Sequence, residues 1–111
     1  MKIAVVGSCA SGKTTIVTAL RERGHEAYVV SQEHSIITEL WRHLDPEYLV
    51  LLEADFEVVR QRRGGTWPRW LFDLQQERLR HAREHADLIL DTGTLSIEQS
   101  LQAIEAAVGD E

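Results

Sequence analysis

Ile3-Ala4-Val5-Val6-Gly7-Ser8-Cys9-Ala10-Ser11-Gly12-Lys13-Thr14 begins as an unbroken apolar run, β-branched at Ile3, Val5 and Val6, and turns polar at Gly7. A continuous run, as opposed to an alternation, predicts a strand buried on both faces, as in a parallel sheet. Past the Gly/Ser turn, Ile16, Ala19 and Leu20 fall at helical spacing. Gly24 stands where a helix-ending glycine is expected. A buried strand, a glycine-bearing turn and an amphipathic helix thus follow one another at the start of the chain.

The same alternation continues outward. Ala27–Val30 predicts a second strand, ending in Ser31-Gln32-Glu33-His34. Ile36, Ile37, Leu40, Trp41 and Leu44 predict a short amphipathic helix stopped by Asp45-Pro46. Tyr48–Leu52 is the third apolar run, with Glu53 and Asp55 at its carboxyl end. A helix through Val58, Val59 and Arg62 is expected to stop at Gly64-Gly65, and a longer one to run from Trp70 to His85. Leu88-Ile89-Leu90 predicts the fourth strand, closing on Asp91-Thr92-Gly93-Thr94. Ser96 opens a last helix, striped by Ile97, Leu101, Ile104 and Val108. Strand and helix alternating in this way predict one α/β domain over residues 1–111. Its expected form is a three-layer α/β/α sandwich around a small parallel sheet of about four strands.

With 43% hydrophobic and 27% charged residues, the composition is that of a globular domain, not a disordered tail. The net charge of −6 argues against nucleic acid as the general partner, since such partners need a basic surface. The charge is uneven: residues 56–85 carry +3 inside an acidic chain, a candidate region for an anionic ligand. Cys9 is the single cysteine, so no internal disulfide forms and no oxidising compartment is indicated. No run approaches the ~20 apolar residues of a membrane helix. The reading predicts no membrane partner and a cytoplasmic location.

Gly7-Ser8-Cys9-Ala10-Ser11-Gly12-Lys13-Thr14 fits G-x-x-x-x-G-K-[ST] at every fixed position, in the strand-to-helix context the motif requires. Glycines let the backbone curl so that successive N–H groups face inward, and the following helix adds its unpaired N–H groups and its dipole. Lys13 supplies a mobile charge for the β- and γ-phosphates, and the Thr14 hydroxyl is placed to ligate Mg²⁺. The expected ligand is a nucleoside triphosphate, held by residues 7–14 and the adjoining Thr15.

The motif is that of the P-loop NTPases, and the chain resembles their nucleotide and small-molecule kinase branch. Tyr48–Arg63 is similar to the segment that leads into the arginine-bearing lid of such kinases, and Leu88–Ile104 to their terminal strand-turn-helix. The resemblance implies ATP and Mg²⁺ as cofactors and adenine contacts from the Thr92-Gly93-Thr94 turn. It also implies an acid near Glu33 that serves as general base or holds Mg²⁺ through water. The chain departs from the family in length. About 13 residues separate His34 from Tyr48, where such kinases carry an acceptor-binding insert, and the lid is reduced to Arg60–Arg69.

The remaining candidates each have a plainer role beside the functional one. Glu33 is either a catalytic or metal-holding acid or a loop acid; His34 and Gln32 can orient substrate or water or be polar surface. Glu53 and Asp55 are metal contacts or, for Asp55, a helix N-cap. Asp91 reads as the residue that holds its own turn. Of Arg60, Arg62, Arg63 and Arg69, Arg62 or Arg63 is the candidate phosphate-directed side chain, the alternative being a solvated helix end. His81 and His85 sit at metal-holding spacing but on a face that reads as salt-bridged exterior. Trp41, Trp67 and Trp70 read as core or interface anchors. Cys9 is an oxidisable thiol beside anion-binding amides or a small filler.

Two functions follow as expectations. One is an ATP-dependent phosphotransferase with Lys13, Glu33, Arg62 and Arg63 in catalytic roles, passing phosphate to a small-molecule acceptor. The other is a nucleotide-binding or nucleotide-hydrolysing regulator without an acceptor, acting in an oligomer or beside a partner subunit.

Overall fold

The computed structural model describes residues 1–109. Four strands, β1 (Lys2–Gly7), β2 (Glu26–Val29), β3 (Tyr48–Glu53) and β4 (Leu88–Asp91), form one sheet in the order β2-β1-β3-β4. Every pairing is parallel. β1 and β3 occupy the centre, with Gly7 opposite Leu52, and the four strands point their carboxyl ends the same way.

Both faces of the central strands are covered, which is why they read as unbroken apolar runs. Ile3, Val5, Val50 and Leu52 pack on one side against helices α1 (Lys13–Glu22) and α5 (Ile97–Val108), through Ile16, Leu20, Leu101 and Ile104. Ala4, Val6, Leu49 and Leu51 face the other side and meet Trp41, Leu79 and Ala82. Leu79 joins α3 (Arg69–Arg78) to α4 (Arg80–His85). The result is a three-layer α/β/α arrangement. Helix α2 (Phe56–Arg62) closes the carboxyl end, where Val59 packs with Ala54 and Phe72. No helix among the described residues is long and apolar enough to cross a membrane.

Two helices expected from the sequence take other forms. Residues 36–44 are not one amphipathic helix: two 3₁₀ turns, Gln32–His34 and Leu40–Leu44, flank a stretch in which Ile36 and Ile37 are exposed. The cause is Gln32. Its buried amide donates to the Ile37 carbonyl at 2.7 Å and accepts from the Trp41 N–H at 3.0 Å, taking up backbone groups that a helix would have paired internally. Gln32 is therefore a structural pin. The helix expected from Trp70 to His85 is broken at Leu79, whose ψ of −5° departs from helical geometry as its side chain buries in the core.

The caps follow their sequence signals. Asp55 Oδ1 accepts from the Val58 N–H at 3.1 Å and starts α2. Ser96 and Gln99 form a reciprocal capping box on α5.

Candidate functional site

In a sheet ordered β2-β1-β3-β4 the chain leaves β1 toward one edge and continues from β3 toward the other, so a crevice opens at the carboxyl ends of β1 and β3. That is where open α/β sheets bind ligands. Residues 8–12 fill this place. Gly7 is required by close approach: a Cβ there would lie 2.6 Å from the Leu52 carbonyl and 2.5 Å from Ser11 Oγ. Gly12 is required by conformation, with φ at 101°, and Ala10 shares the left-handed region at 61°.

The loop hands the chain to α1, which starts with neither a side-chain cap nor an acid in its first turn. The first helical N–H groups thus lack the side-chain acceptors that serve α2 and α5. Lys13 folds back over the loop. Its ammonium donates to the carbonyls of Gly7 at 2.8 Å and Ser8 at 3.0 Å and to Glu33 Oε2 at 2.7 Å. Lys13 and Glu33 are brought together here because β2 lies next to β1. Glu33 is 2% exposed and its second oxygen, Oε1, has no partner; the buried hydroxyls of Ser8 and Ser11 have none either. Thr14 and Thr15 stand exposed on the first turn of α1.

On the other side of the loop, Ala10, Gly12, Thr15 and Ile16 form one wall of a cavity of about 530 Å³, and Thr92, Leu95, Ile97 and Ser100 form the opposite one. Thr92 binds the two walls, its hydroxyl donating to the Ser11 carbonyl at 2.7 Å. Gly93 and Thr94 complete the turn, held by Asp91, whose Oδ1 accepts the Gly93 N–H at 2.8 Å. Arg62 lines the same cavity, donating to the Ala10 carbonyl at 2.8 Å and the Thr92 carbonyl at 2.5 Å. Arg63 lies instead over the Trp67 ring, 4.7 Å from its centroid.

Other candidates resolve into structural parts. Glu53 pairs with Arg83 at 2.6 Å. His81 and His85 stack on each other at 4.2 Å, and His81 Nδ1 accepts from Trp41 Nε1 at 3.2 Å. Trp41 is buried, Trp67 half-buried and Trp70 exposed.

Two residues that the sequence reading passed over prove central. Gln75 is 1% exposed; its Oε1 accepts the Cys9 N–H at 3.0 Å and its Nε2 donates to Cys9 Sγ at 3.2 Å. Arg78 donates to the Glu33 carbonyl at 3.3 Å. The available signal was the position of Gln75 in the stripe Phe72, Gln75, Leu79, Ala82, a polar residue on an apolar face. No protein-family model and no curated protein sequence matches this chain.

Proposed function

We propose that the chain binds ATP with Mg²⁺ and transfers its γ-phosphoryl group to a small-molecule acceptor. The observation that carries this reading is the pairing of a positively furnished loop with a neighbouring cavity. The uncapped start of α1 offers N–H donors for a polyphosphate, and Lys13, whose three donors are held by Gly7, Ser8 and Glu33, would release one of them to reach it. The cavity between Ile16, Leu95 and Ile97, at about 530 Å³, falls within the range of small-molecule pockets and suits a base and its sugar. The orphaned buried oxygens of Ser8, Ser11 and Glu33 fit a ligand group arriving at the loop. Mg²⁺ would be held by the Thr14 hydroxyl and Glu33, and it supplies charge neutralisation for phosphate oxygens.

The residues divide the work. Lys13 carries the positive charge that a developing phosphate charge needs, and Glu33 is placed to exchange its Lys13 contact for a metal or an acceptor hydroxyl. Arg62 holds loop and turn at a fixed spacing, while Arg63, over the Trp67 ring, would have to swing to reach a phosphate. The acceptor would occupy the groove of about 380 Å³ lined by Ser35, Thr38, Leu74 and Arg78, the last of which also holds the Glu33 carbonyl. A second reading, nucleotide binding without an acceptor, is favoured by the segment from Gln32 to Leu44, which makes two 3₁₀ turns and no folded insert.

One experiment tests both: turnover of ATP–Mg²⁺ by the purified chain against a panel of nucleosides, nucleotides and small hydroxyl compounds. Phosphoryl transfer that requires one acceptor supports the kinase reading. Tight ATP binding without acceptor-dependent transfer supports the second, and no ATP binding rejects both.

A further inference from the structure

At the loop, three side chains of metal-ligating type converge from two segments. Cys9 Sγ lies 3.5 Å from His34 Nε2, and His34 Nε2 lies 3.6 Å from Glu33 Oε2. One donor atom from each of the three falls within 4.8 Å of the others. A tetrahedral zinc ion with Zn–S near 2.3 Å and Zn–N near 2.0–2.1 Å sets its sulfur and nitrogen ligands about 3.6 Å apart. The same geometry puts nitrogen and carboxylate oxygen about 3.4 Å apart. The sulfur–nitrogen spacing matches its edge, and the nitrogen–oxygen spacing, to the Oε2 that also holds Lys13, lies close to its own.

Independent observations point the same way. Glu33 Oε1 is buried without a partner while Oε2 holds Lys13, so the carboxylate keeps a free pair of acceptor sites. Gln75 fixes Cys9 at both its N–H and its sulfur, so the sulfur is held in place from outside the ligand set. The His34 side chain is 58% exposed, which gives an ion a way in from solvent.

We propose that Cys9, Glu33 and His34 form a binding site for a thiolate-seeking divalent metal ion, Zn²⁺ being the best match, with a fourth position open to water or another donor. Sulfur, imidazole and carboxylate together suit zinc and not Mg²⁺, which takes oxygen ligands. The site shares Glu33 with the Mg²⁺ position proposed at Thr14 but differs from it in its sulfur and imidazole donors, so the two ions would compete for that carboxylate, and the test is made without nucleotide.

The test is a Co²⁺ titration of the reduced, chelator-treated chain, followed by absorption. The expected result is a thiolate-to-cobalt charge-transfer band that saturates at about one equivalent, shows the visible bands of a four-coordinate centre, and is bleached by Zn²⁺. Cys9→Ser should remove the band. His34→Ala, at an exposed position that the fold does not need, should weaken Co²⁺ binding at least ~10-fold, and Gln75→Ala should weaken it ~10- to 100-fold. His81→Ala should leave it unchanged. Absence of the band overturns the proposal. So does a band of unchanged affinity in His34→Ala, or one whose affinity follows His81.

Discussion

The Lys13 ammonium and the Glu33 carboxylate meet at 2.7 Å with side chains only 10% and 3% exposed, a buried ion pair at the junction of β1 and α1. Removing one partner of such a pair strands the other charge out of water. Glu33→Ala is expected to cost about 3 kcal/mol of stability. The double replacement Lys13→Met with Glu33→Leu should lie much closer to the parent, because no charge is left behind. Urea unfolding of the three chains reads this directly; a double variant no better than Glu33→Ala would show that the pair is not the source of the loss.

Lys13→Ala should weaken ATP binding by about 1.5–3 kcal/mol, roughly 10- to 150-fold, through loss of charge-assisted contacts. Calorimetry is done at a temperature where circular dichroism shows the variant folded. Unchanged affinity there would remove the loop from the proposed function.

Thr15 is exposed on α1 and borders the cavity that we assign to the base and sugar. Thr15→Trp places an indole at that wall without touching the core. ATP should bind at least ~10-fold more weakly, while inorganic tripolyphosphate, which needs only the loop, should bind as before. Equal loss for both ligands would mean that the cavity and the loop are not separable parts of one site.

The basic segment 60–69 offers a test by hydrogen exchange. Gly64 and Gly65 both have positive φ, and Arg62 already ties α2 to the loop and the Thr92 turn. Amides of Thr66 and Trp67 should exchange quickly in the free chain and slow by at least ~10-fold with ATP–Mg²⁺, as the segment that carries Arg63 closes on an anion. Full protection without nucleotide would make the segment a fixed part of the scaffold.

On the opposite side of the molecule, Glu105 joins His25 at 3.0 Å and Arg23 at 2.6 Å, linking α5 to the end of α1. Hydrogen bonds from His25 first and from Arg23 second hold its carboxyl below the ordinary value of 4.5. A carboxylate with a lowered folded-state pKa stabilises the fold above its ordinary value, and that contribution disappears as the pH falls through the lowered one. Glu105→Gln should therefore lower the urea midpoint at pH 7 and narrow its gap to the parent as the pH drops below 4.5. A gap that stays constant across that window would exclude the titration of Glu105 as its cause.

The strands were legible because doubly covered parallel strands need apolar residues at every position, a purely local requirement that Ile3–Val6 and Leu49–Leu52 meet. Asp55 and Ser96 were legible as caps, and Asp91 as a turn holder, for the same reason: each bonds to a backbone group two or three residues away. What periodicity could not report was contact across sequence. The Gln75 bond to Cys9 spans 66 residues, and the Arg78 bond to Glu33 spans 45. The broken helix at Leu79 and the unwound stretch near Ile36 follow the same rule, since the deciding groups, a core pocket and the Gln32 side chain, are supplied by tertiary structure.

Helix α3 presents Gln75 to the loop after β1 and Leu74, Glu77 and Arg78 to the groove of about 380 Å³. A helix is stiff along its length, so these neighbours cannot shift separately. An occupant of the groove that shifts α3 is therefore expected to be felt at Cys9 without touching it, and a change in the loop's curl to be felt at the groove's wall. The contact between the two compartments is one glutamine side chain. The exchange rate of the Cys9 amide is its gauge, and Gln75→Ala is the cut that disconnects it.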